Sequence, residues 1–399
     1  MELGALVKNP SSCCGCGACL SACPRQAISM QTDSHGCKYP KIDPVKCIDC
    51  GLCVRICQYT APMDGKIPMK TYAAVGSCED TVMNSASGGV FASLAESFIS
   101  KGALVAGVVM DCSNSQADVY HLLSGDKSDL CRMQGSKYVQ SDAWRSYYEI
   151  REALNSGKKV LFSGTPCQVA AVKKITGNPE NLMTVDLICH GVPPLQMLND
   201  YLKILSKWLR GEITAFRFRE KFCSKQYTAG IYVRKGRKTE RVLIKSSLLS
   251  FYKHFLDGVF HRENCFSCPY AENHRVSDIT IGDYWGVEEF HAEELHSGKM
   301  PRRNDWSCVL VNTEKGERLL QDYGKALMLY PSKLEWVAVN NQQLKRPASK
   351  GKKRERLLEM YKKLGYKAVE AEFVRENGGR LRFIWRTTRN IRENKRKTL

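Results

Sequence analysis

Long apolar runs are missing from this chain. No stretch of its 399 residues approaches the length of a membrane span, and the N-terminus lacks the apolar core of a secretory signal. The expectation is a cytosolic protein in a reducing compartment. Acidic residues are also in deficit: 41 Asp and Glu against 60 Lys and Arg leave a formal charge of +19. The excess is uneven, because residues 345–399 hold 19 basic and 6 acidic side chains, a local net of 19 − 6 = +13. Aromatic interleaving in that tail is confined to Phe383 and Trp385, and no nucleic-acid docking motif is present, so RNA or DNA is the least favoured partner. The length allows two or three domains, and an apolar share of 43% supports ordinary globular cores.

Cysteine, by contrast, is abundant at 19 residues. Length and spacing argue for metal ligation rather than a secreted disulfide scaffold. Cys13-x2-Cys16-x2-Cys19-x3-Cys23-Pro24 is repeated 34 residues later as Cys47-x2-Cys50-x2-Cys53-x3-Cys57. Three cysteines so spaced serve three irons of a cubane, and in two-cluster ferredoxins the fourth cysteine of each run serves the other cluster. The expected sets are Cys13, Cys16, Cys19 and Cys57 for one 4Fe-4S cluster, and Cys47, Cys50, Cys53 and Cys23 for the second. Zinc also takes four thiolates but rarely shows a triple C-x2-C-x2-C run. Each oxidised cluster with its thiolates carries about −2, which lowers the formal charge. Cys14 and Cys37 fall outside the pattern as spare thiols.

Residues 1–66 therefore read as a small ferredoxin-like module, with short strands near 27–30 and 39–43 around a turn at Ser34-His35-Gly36. Its folding is expected to depend on metal. Residues 64–68 read as a linker. The pattern then becomes α/β, with a helix over 90–100, strands over 104–110 and 118–123, and a helix to Asn155 capped by Asp142. A strand over 159–163 leads to Thr165-Pro166, a cap and first-turn proline for a helix to Ile175. A strand over 182–189, a helix over 194–209 and antiparallel strands over 213–219, 230–235 and 241–245 follow. A helix over 248–256, strands over 278–281 and 306–312 and a helix from Glu314 complete the body. Residues 345–399 read as a polar, basic helical tail with little core face. The fold class is α/β, α+β overall.

Four further cysteines form a second constellation. Cys167 sits in the first turn of its helix, where free N–H groups and the helix dipole favour a thiolate. Cys189 ends the next strand. If the two strands of this βαβ unit are neighbours, both cysteines reach one sheet edge, where open α/β sheets bind ligands. Cys265-x2-Cys268-Pro269 supplies a chelating loop. A third cluster, structural zinc and unliganded thiols remain equally open from geometry alone.

Two glycine turns could cradle phosphate. Ser85, Ser87, Gly88 and Gly89 open a helix, and Gly135, Ser136 and Lys137 add a cation. Ordinary caps and a solvated lysine explain them equally well. The segment Ile281-Gly282-Asp283-Tyr284-Trp285 can floor a planar ligand or form a packed corner. His190, beside Cys189, is the first proton-donor candidate, with Asp283 and Lys137 as alternatives.

Together the stretches SASGGVF from Ser85, GSKYVQS from Gly135, VLFSGTPCQVA from Val160, VDLICHGVP from Val185, CFSCPYA from Cys265 and DITIGDYWG from Asp278 resemble the coenzyme F-420 hydrogenase/dehydrogenase beta-subunit family. The form resembled carries an N-terminal two-cluster module. The resemblance covers roughly residues 1–330 and implies a flavin-binding body, its two parts at 69–157 and 158–340. It implies FAD at the two glycine turns and favours a third cluster at Cys167, Cys189, Cys265 and Cys268. Members include deazaflavin-reducing hydrogenase subunits and chlorophyll-modifying reductases; similar bacterial proteins occur beside polysaccharide-synthesis enzymes. Gln58 replaces the proline usual after the last cysteine of the second run, and the tail has no family motif.

The expected function is electron flow from a ferredoxin or other low-potential donor, through clusters to FAD, and on to an organic substrate or coenzyme. The rival is an adaptor subunit that relays electrons to a partner enzyme and has no substrate of its own. For the tail, a solvated extension competes with contact to anionic lipid or an acidic partner through Leu381, Phe383, Ile384 and Trp385.

Overall fold

The computed structural model describes residues 7, 9–221, 227–303 and 305–397. The ends of the expected 1–66 module and 345–399 tail, at residues 1–6 and 398–399, lie outside it. Among the described residues the strands in chain order are β1 (Ile28–Thr32), β2 (Lys38–Ile42), β3 (Lys70–Gly76), β4 (Leu104–Ser113), β5 (Gln116–Ser124), β6 (Val160–Gly164), β7 (Leu182–Leu187), β8 (Glu212–Arg217), β9 (Thr228–Lys235), β10 (Lys238–Lys245), β11 (Ile279–Asp283), β12 (Ser307–Val311) and β13 (Leu327–Ser332).

The eight-stranded main sheet has the order β13-β3-β12-β11-β7-β6-β4-β5. Its centre is parallel: β4 pairs with β6, β6 with β7, and β7 with β11. The outer pairs β11–β12, β12–β3, β3–β13 and β4–β5 are antiparallel. β6 reads Val-Leu-Phe-Ser-Gly and is buried at every position, as expected of a strand covered on both faces. Leu161 joins the core with Leu94, Phe98 and Val309, while Val160 and Phe162 face Tyr147, Ile150 and Val169. The helix Pro166–Thr176 then crosses over to β7, which lies beside β6 in parallel register. Its start carries the expected devices: Pro166 in the first turn and a reciprocal capping box between Thr165 and Gln168.

A second layer consists of β10-β9-β8 packed with the helices Leu195–Leu209 and Ser250–Leu256. The tail belongs to this layer, which corrects the expectation of a coreless extension. Its helices Arg354–Leu364, Tyr366–Glu376 and Gly379–Lys397 bury Leu357, Tyr361, Tyr366, Val369, Phe373 and Phe383. These apolar residues are widely spaced among charges, so their common face shows only against the body.

Three other expectations change. Asp142 does not cap a helix; the helix Trp144–Asn155 has Ala143 at its cap position, and Asp142 instead takes the ammonium of Lys38 at 2.6 Å. Residues 64–68 are not a free linker, because Lys66 and Arg275 exchange backbone hydrogen bonds of 2.9 and 2.8 Å. The strand expected to reach Cys189 stops at Leu187, leaving Cys189 in the loop beyond. β3 and β13 were not expected and extend one side of the sheet.

Candidate functional site: cysteine hollows and a glycine-rich cleft

The cysteine-rich module is wedged into the body. Gln140 donates to the carbonyls of Cys14 and Gly15 at 3.0 and 3.3 Å, and Asn264 donates to the Tyr59 hydroxyl at 3.0 Å. Within the module, two hollows stand where the two cysteine runs cross over. Cys13, Cys16, Cys19 and Cys57 line one, of about 30 Å³. Cys23, Cys47, Cys50 and Cys53 line the other, of about 150 Å³. Backbone N–H groups point at sulfur in both: Gly15 to Cys13 at 3.4 Å and Ala27 to Cys23 at 3.3 Å. Such bonds favour thiolates and tune clusters.

The second constellation also gathers. Cys189 lies within electrostatic reach of Cys265, Cys167 and Cys268, and Gly191 N–H donates to its sulfur at 3.4 Å. Burial drives the Cys189 thiol well above its ordinary range, Cys265 to about 12 and Cys268 to about 11. Any metal here must displace protons from thiols that burial keeps neutral. Among the described residues, no three His, Cys, Asp or Glu side chains converge as tightly as a single ion needs. A cubane, with sulfide and iron between its ligands, holds four thiolates farther apart.

Cys14 lies between the two regions, its thiol beside both Cys16 and Cys167. Its interaction with them is the leading cause of the lowered Cys16, at about 7, and of the lowered Cys167. Gln58 completes the join: its amide donates to Cys14 Sγ at 2.9 Å and to the Cys167 carbonyl at 2.8 Å. The residue that departs from the usual proline is thus a buried bridge, and the replacement was the one signal of it in the sequence.

A cleft of about 280 Å³ opens at the carboxyl ends of the parallel strands. Cys14, Cys16 and Cys167 line it together with Ser85, Ser87, Gly89, Gly135, Ser136 and Lys137, and it also takes in Arg219 and Asp283. Gly88 lies directly behind, where a Cβ would meet the Ala74 carbonyl at 2.5 Å, and its N–H donates to Ser307 Oγ at 2.9 Å. Gly135, at φ +78, has open space where a Cβ would stand. These turns leave room for a ligand to approach the backbone closely.

The proton-donor candidates separate. Lys137 lines the cleft, but its ammonium donates to the carbonyls of Arg132, Met133 and Gln134, each at 2.9 Å, while burial lowers its pKa to about 7. Asp283 lines the cleft too, and Arg219 Nη1 donates to both its oxygens at 2.8 and 2.6 Å. His190 is not among the cleft-lining residues. Its Nε2 donates to the Leu256 carbonyl and its Nδ1 accepts from the Gln343 amide, both at 3.2 Å. Burial lowers its pKa, because the charged ring would lose its water. Arg219 and Arg262 escaped sequence reasoning, since neither lies in a spacing pattern that marks it, while Gln140 sat unremarked within the stretch from Gly135.

Two family models match separate stretches of the chain. Residues 157–335 match the family model for the C terminus of the coenzyme F420 hydrogenase/dehydrogenase beta subunit, and residues 12–61 match a 4Fe-4S dicluster domain. A curated relative, uncharacterized protein MJ1349 of Methanocaldococcus jannaschii, is 24% identical over 210 residues, covering 44% of this chain and 56% of the relative. The match thus spans just over half of that relative. A chain from the xenon-derivatised F420-reducing [NiFe] hydrogenase complex of Methanosarcina barkeri aligns with a TM-score of 0.44 and 16% identity, over 78% of this chain and 93% of that one. The chain thus joins a stretch similar to a 4Fe-4S dicluster domain, residues 12–61, to one similar to the C terminus of the coenzyme F420 hydrogenase/dehydrogenase beta subunit, residues 157–335.

Proposed function

We propose that this chain is an iron–sulfur flavoprotein oxidoreductase that accepts electrons from a ferredoxin or similar low-potential donor and reduces an organic substrate or coenzyme. One observation carries the reading: a single cleft is lined both by Cys14, Cys16 and Cys167 and by the two glycine turns. Cys23, Cys47, Cys50 and Cys53 would hold the outer cluster, and Cys13, Cys16, Cys19 and Cys57 the inner one. Cys167, Cys189, Cys265 and Cys268 would hold a third. Ser87, Gly88, Gly89, Gly135 and Ser136 would hold FAD through its pyrophosphate. When bound, clusters supply one-electron steps and a flavin supplies the two-electron chemistry that most organic reductions need.

The chain's own residues set the direction. Cys50 is exposed at the outer hollow, beside Val45 and Ile48, which suits contact with a donor protein. Gln58 lines the inner hollow, and Gln140 ties the Cys14 backbone beside it to the body. Arg219 and Asp283 provide the charged pair in the cleft for orienting a polar substrate, and Lys137 steadies the turn that carries Gly135.

Anaerobic purification with iron, sulfide and flavin quantified tests this. About twelve irons, four for each of three clusters, and about one FAD per chain are expected. About eight irons would remove the third cluster, and absent flavin would remove the flavoprotein reading. Retained FAD with no small molecule reduced unless a partner is added would favour the adaptor role.

The tail supports a further contact. Phe383 turns inward against Phe373, but Leu381 is 86% exposed and Trp385 60% exposed among arginines. This surface suits anionic lipid. Flotation with anionic but not neutral vesicles is expected, and equal failure with both would leave the tail a purely structural layer.

A further inference from the structure

Arg262 is fully buried, at 0% exposure. Two other deeply buried arginines have carboxylate partners: Arg275 meets Asp186 at 3.0 Å, and Arg354 meets Glu263 at 2.9 Å. Arg262 has none among the described residues. Its Nη1 donates to the Gln140 side-chain oxygen at 2.9 Å, its Nη2 to the Cys13 carbonyl at 3.1 Å and its Nε to Asn264 Oδ1 at 3.3 Å. Its guanidinium lies over the Tyr39 ring, 4.7 Å from the centroid. Every one of these partners is neutral. Glu263, next in sequence, turns away to Lys350 and Arg354.

A guanidinium cannot shed its proton to escape such a site, and a buried charge without a counter-charge is strongly unfavourable. Groups within electrostatic reach of Arg262 include Cys37, Tyr39, Cys13 and Cys14. Two of these, Cys13 and Cys14, line the inner hollow, which Cys13 shares with Cys16, Cys19 and Cys57. Space has been made for the approach: a Cβ on Gly15, at φ +65, would stand 3.1 Å from Arg262 Cζ and 2.8 Å from Gln140 Nε2. The glycine between Cys13 and Cys16 thus admits both the guanidinium and the amide that holds it.

We infer that Arg262 is the built-in counter-charge of the inner iron–sulfur site and biases that site toward its reduced state. The inference rests on the reading of Cys13, Cys16, Cys19 and Cys57 as ligands. In the step concerned, one electron leaves the low-potential donor, which is oxidised, and reduces one ferric iron of the inner cluster to ferrous. No bond to Arg262 forms or breaks, and no proton moves. The cluster gains one negative charge, and a fixed cation beside it stabilises that form. Arg262 is therefore a positioning and tuning residue. The charge of Arg262 is felt at Cys13, and it also reaches Cys265 and Cys167.

The test is a redox titration of the anaerobically purified full chain, followed by electron paramagnetic resonance, for wild type, Arg262→Gln and Arg262→Lys, with iron and sulfide measured in each. Arg262→Gln is expected to disfavour reduction of one cluster by about tenfold or more, a downward shift of about 59 mV for one electron. The outer cluster should stay within about twofold, and Arg262→Lys should recover most of the loss. If Arg262→Gln fails to retain iron while Arg262→Lys retains it, the requirement for charge stands. Unchanged potentials at unchanged iron content overturn the inference. So do equal shifts in every cluster, or equal loss of iron in both variants, because shape rather than charge would then be what matters. A wild-type chain without two clusters in residues 12–61 would instead sink the ligand reading, before any variant is made.

Discussion

The two cysteine runs share one spacing and live in different surroundings. The first is enclosed by the body: Cys16 lies against Cys14 and Gln58, Cys13 against Arg262, and Gly17 against Trp144, where a Cβ would come within 2.5 Å of the indole side chain. The second stands at the outer end of the module, with Cys50 exposed and Val45 92% exposed beside it. A repeat in sequence is therefore not a repeat in environment. Desolvation, fixed charge and hydrogen bonds to sulfur set what a cluster does, and all three differ between the two sites. The two sites thus differ in access, one exposed and one sheltered.

The sharpest way to break the comparison is to remove one cysteine from each run. Cys16→Ala should cost about 3 kcal/mol or more in denaturant unfolding, since it opens the packed centre and strands Arg262 without its counter-charge. Cys50→Ala should empty the outer hollow yet cost no more than about 1 kcal/mol, because local opening there leaves the body closed. Equal losses would erase the distinction.

Acid probes the buried side. His121 is stacked on Phe162 and hydrogen-bonded to the Ser163 carbonyl, and burial lowers its pKa from 6.5 to about 4. Burial also lowers His254 to about 4. Each is neutral in the fold and binds a proton more readily when unfolded. Their stabilisation is complete above pH 6.5, falls away as pH drops toward 4, and is then spent. The loss should be up to about 3 kcal/mol for each group. His121→Gln should flatten the fall in melting temperature across that window; an unchanged slope would remove His121 from the account.

Gln58 tests the join. Gln58→Ala leaves Cys14 Sγ and the Cys167 carbonyl without their shared donor, and should cost about 1–3 kcal/mol. Dithionite-fed reduction of bound flavin should slow while the outer cluster keeps its spectrum. Unaltered rates would place the electron route elsewhere.

The smallest effect belongs to the outer face. Ile48→Glu should change stability by no more than about 0.5 kcal/mol, because the side chain is already exposed. It should nonetheless raise the KM for a reduced ferredoxin donor several-fold. An unchanged KM would move the entry point off this face.

Much of this architecture is legible in the residues alone. The cysteine spacing names the module, Thr165 and Pro166 mark the start of their helix, and Ser87-Gly88-Gly89 leads into Val90–Ser100 as expected. Each is a local rule, in which the residue acts on backbone within a turn of itself. The misses are of another kind. Asp142 looks like a cap because caps are usual before helices, but Lys38, 104 residues earlier, claims it. The tail looks coreless because its apolar residues are sparse, yet a few at the right spacing suffice once β8–β10 and their helices supply the facing surface. His190 looks poised because it adjoins Cys189, and Gln343 and Leu256 hold it instead.

Covalent spacing and local backbone preference place the inventory in the residues: two cluster-type cysteine runs, a βαβ unit with a cysteine at its helix start, and two glycine turns. Folding then settles which run is sheltered, that Gln58 and Cys14 connect it to Cys167, and that Arg262 lies beside it with no carboxylate partner among the described residues. Those facts depend on desolvation and on contacts between residues as far apart as Cys13 and Arg262, which no local pattern encodes.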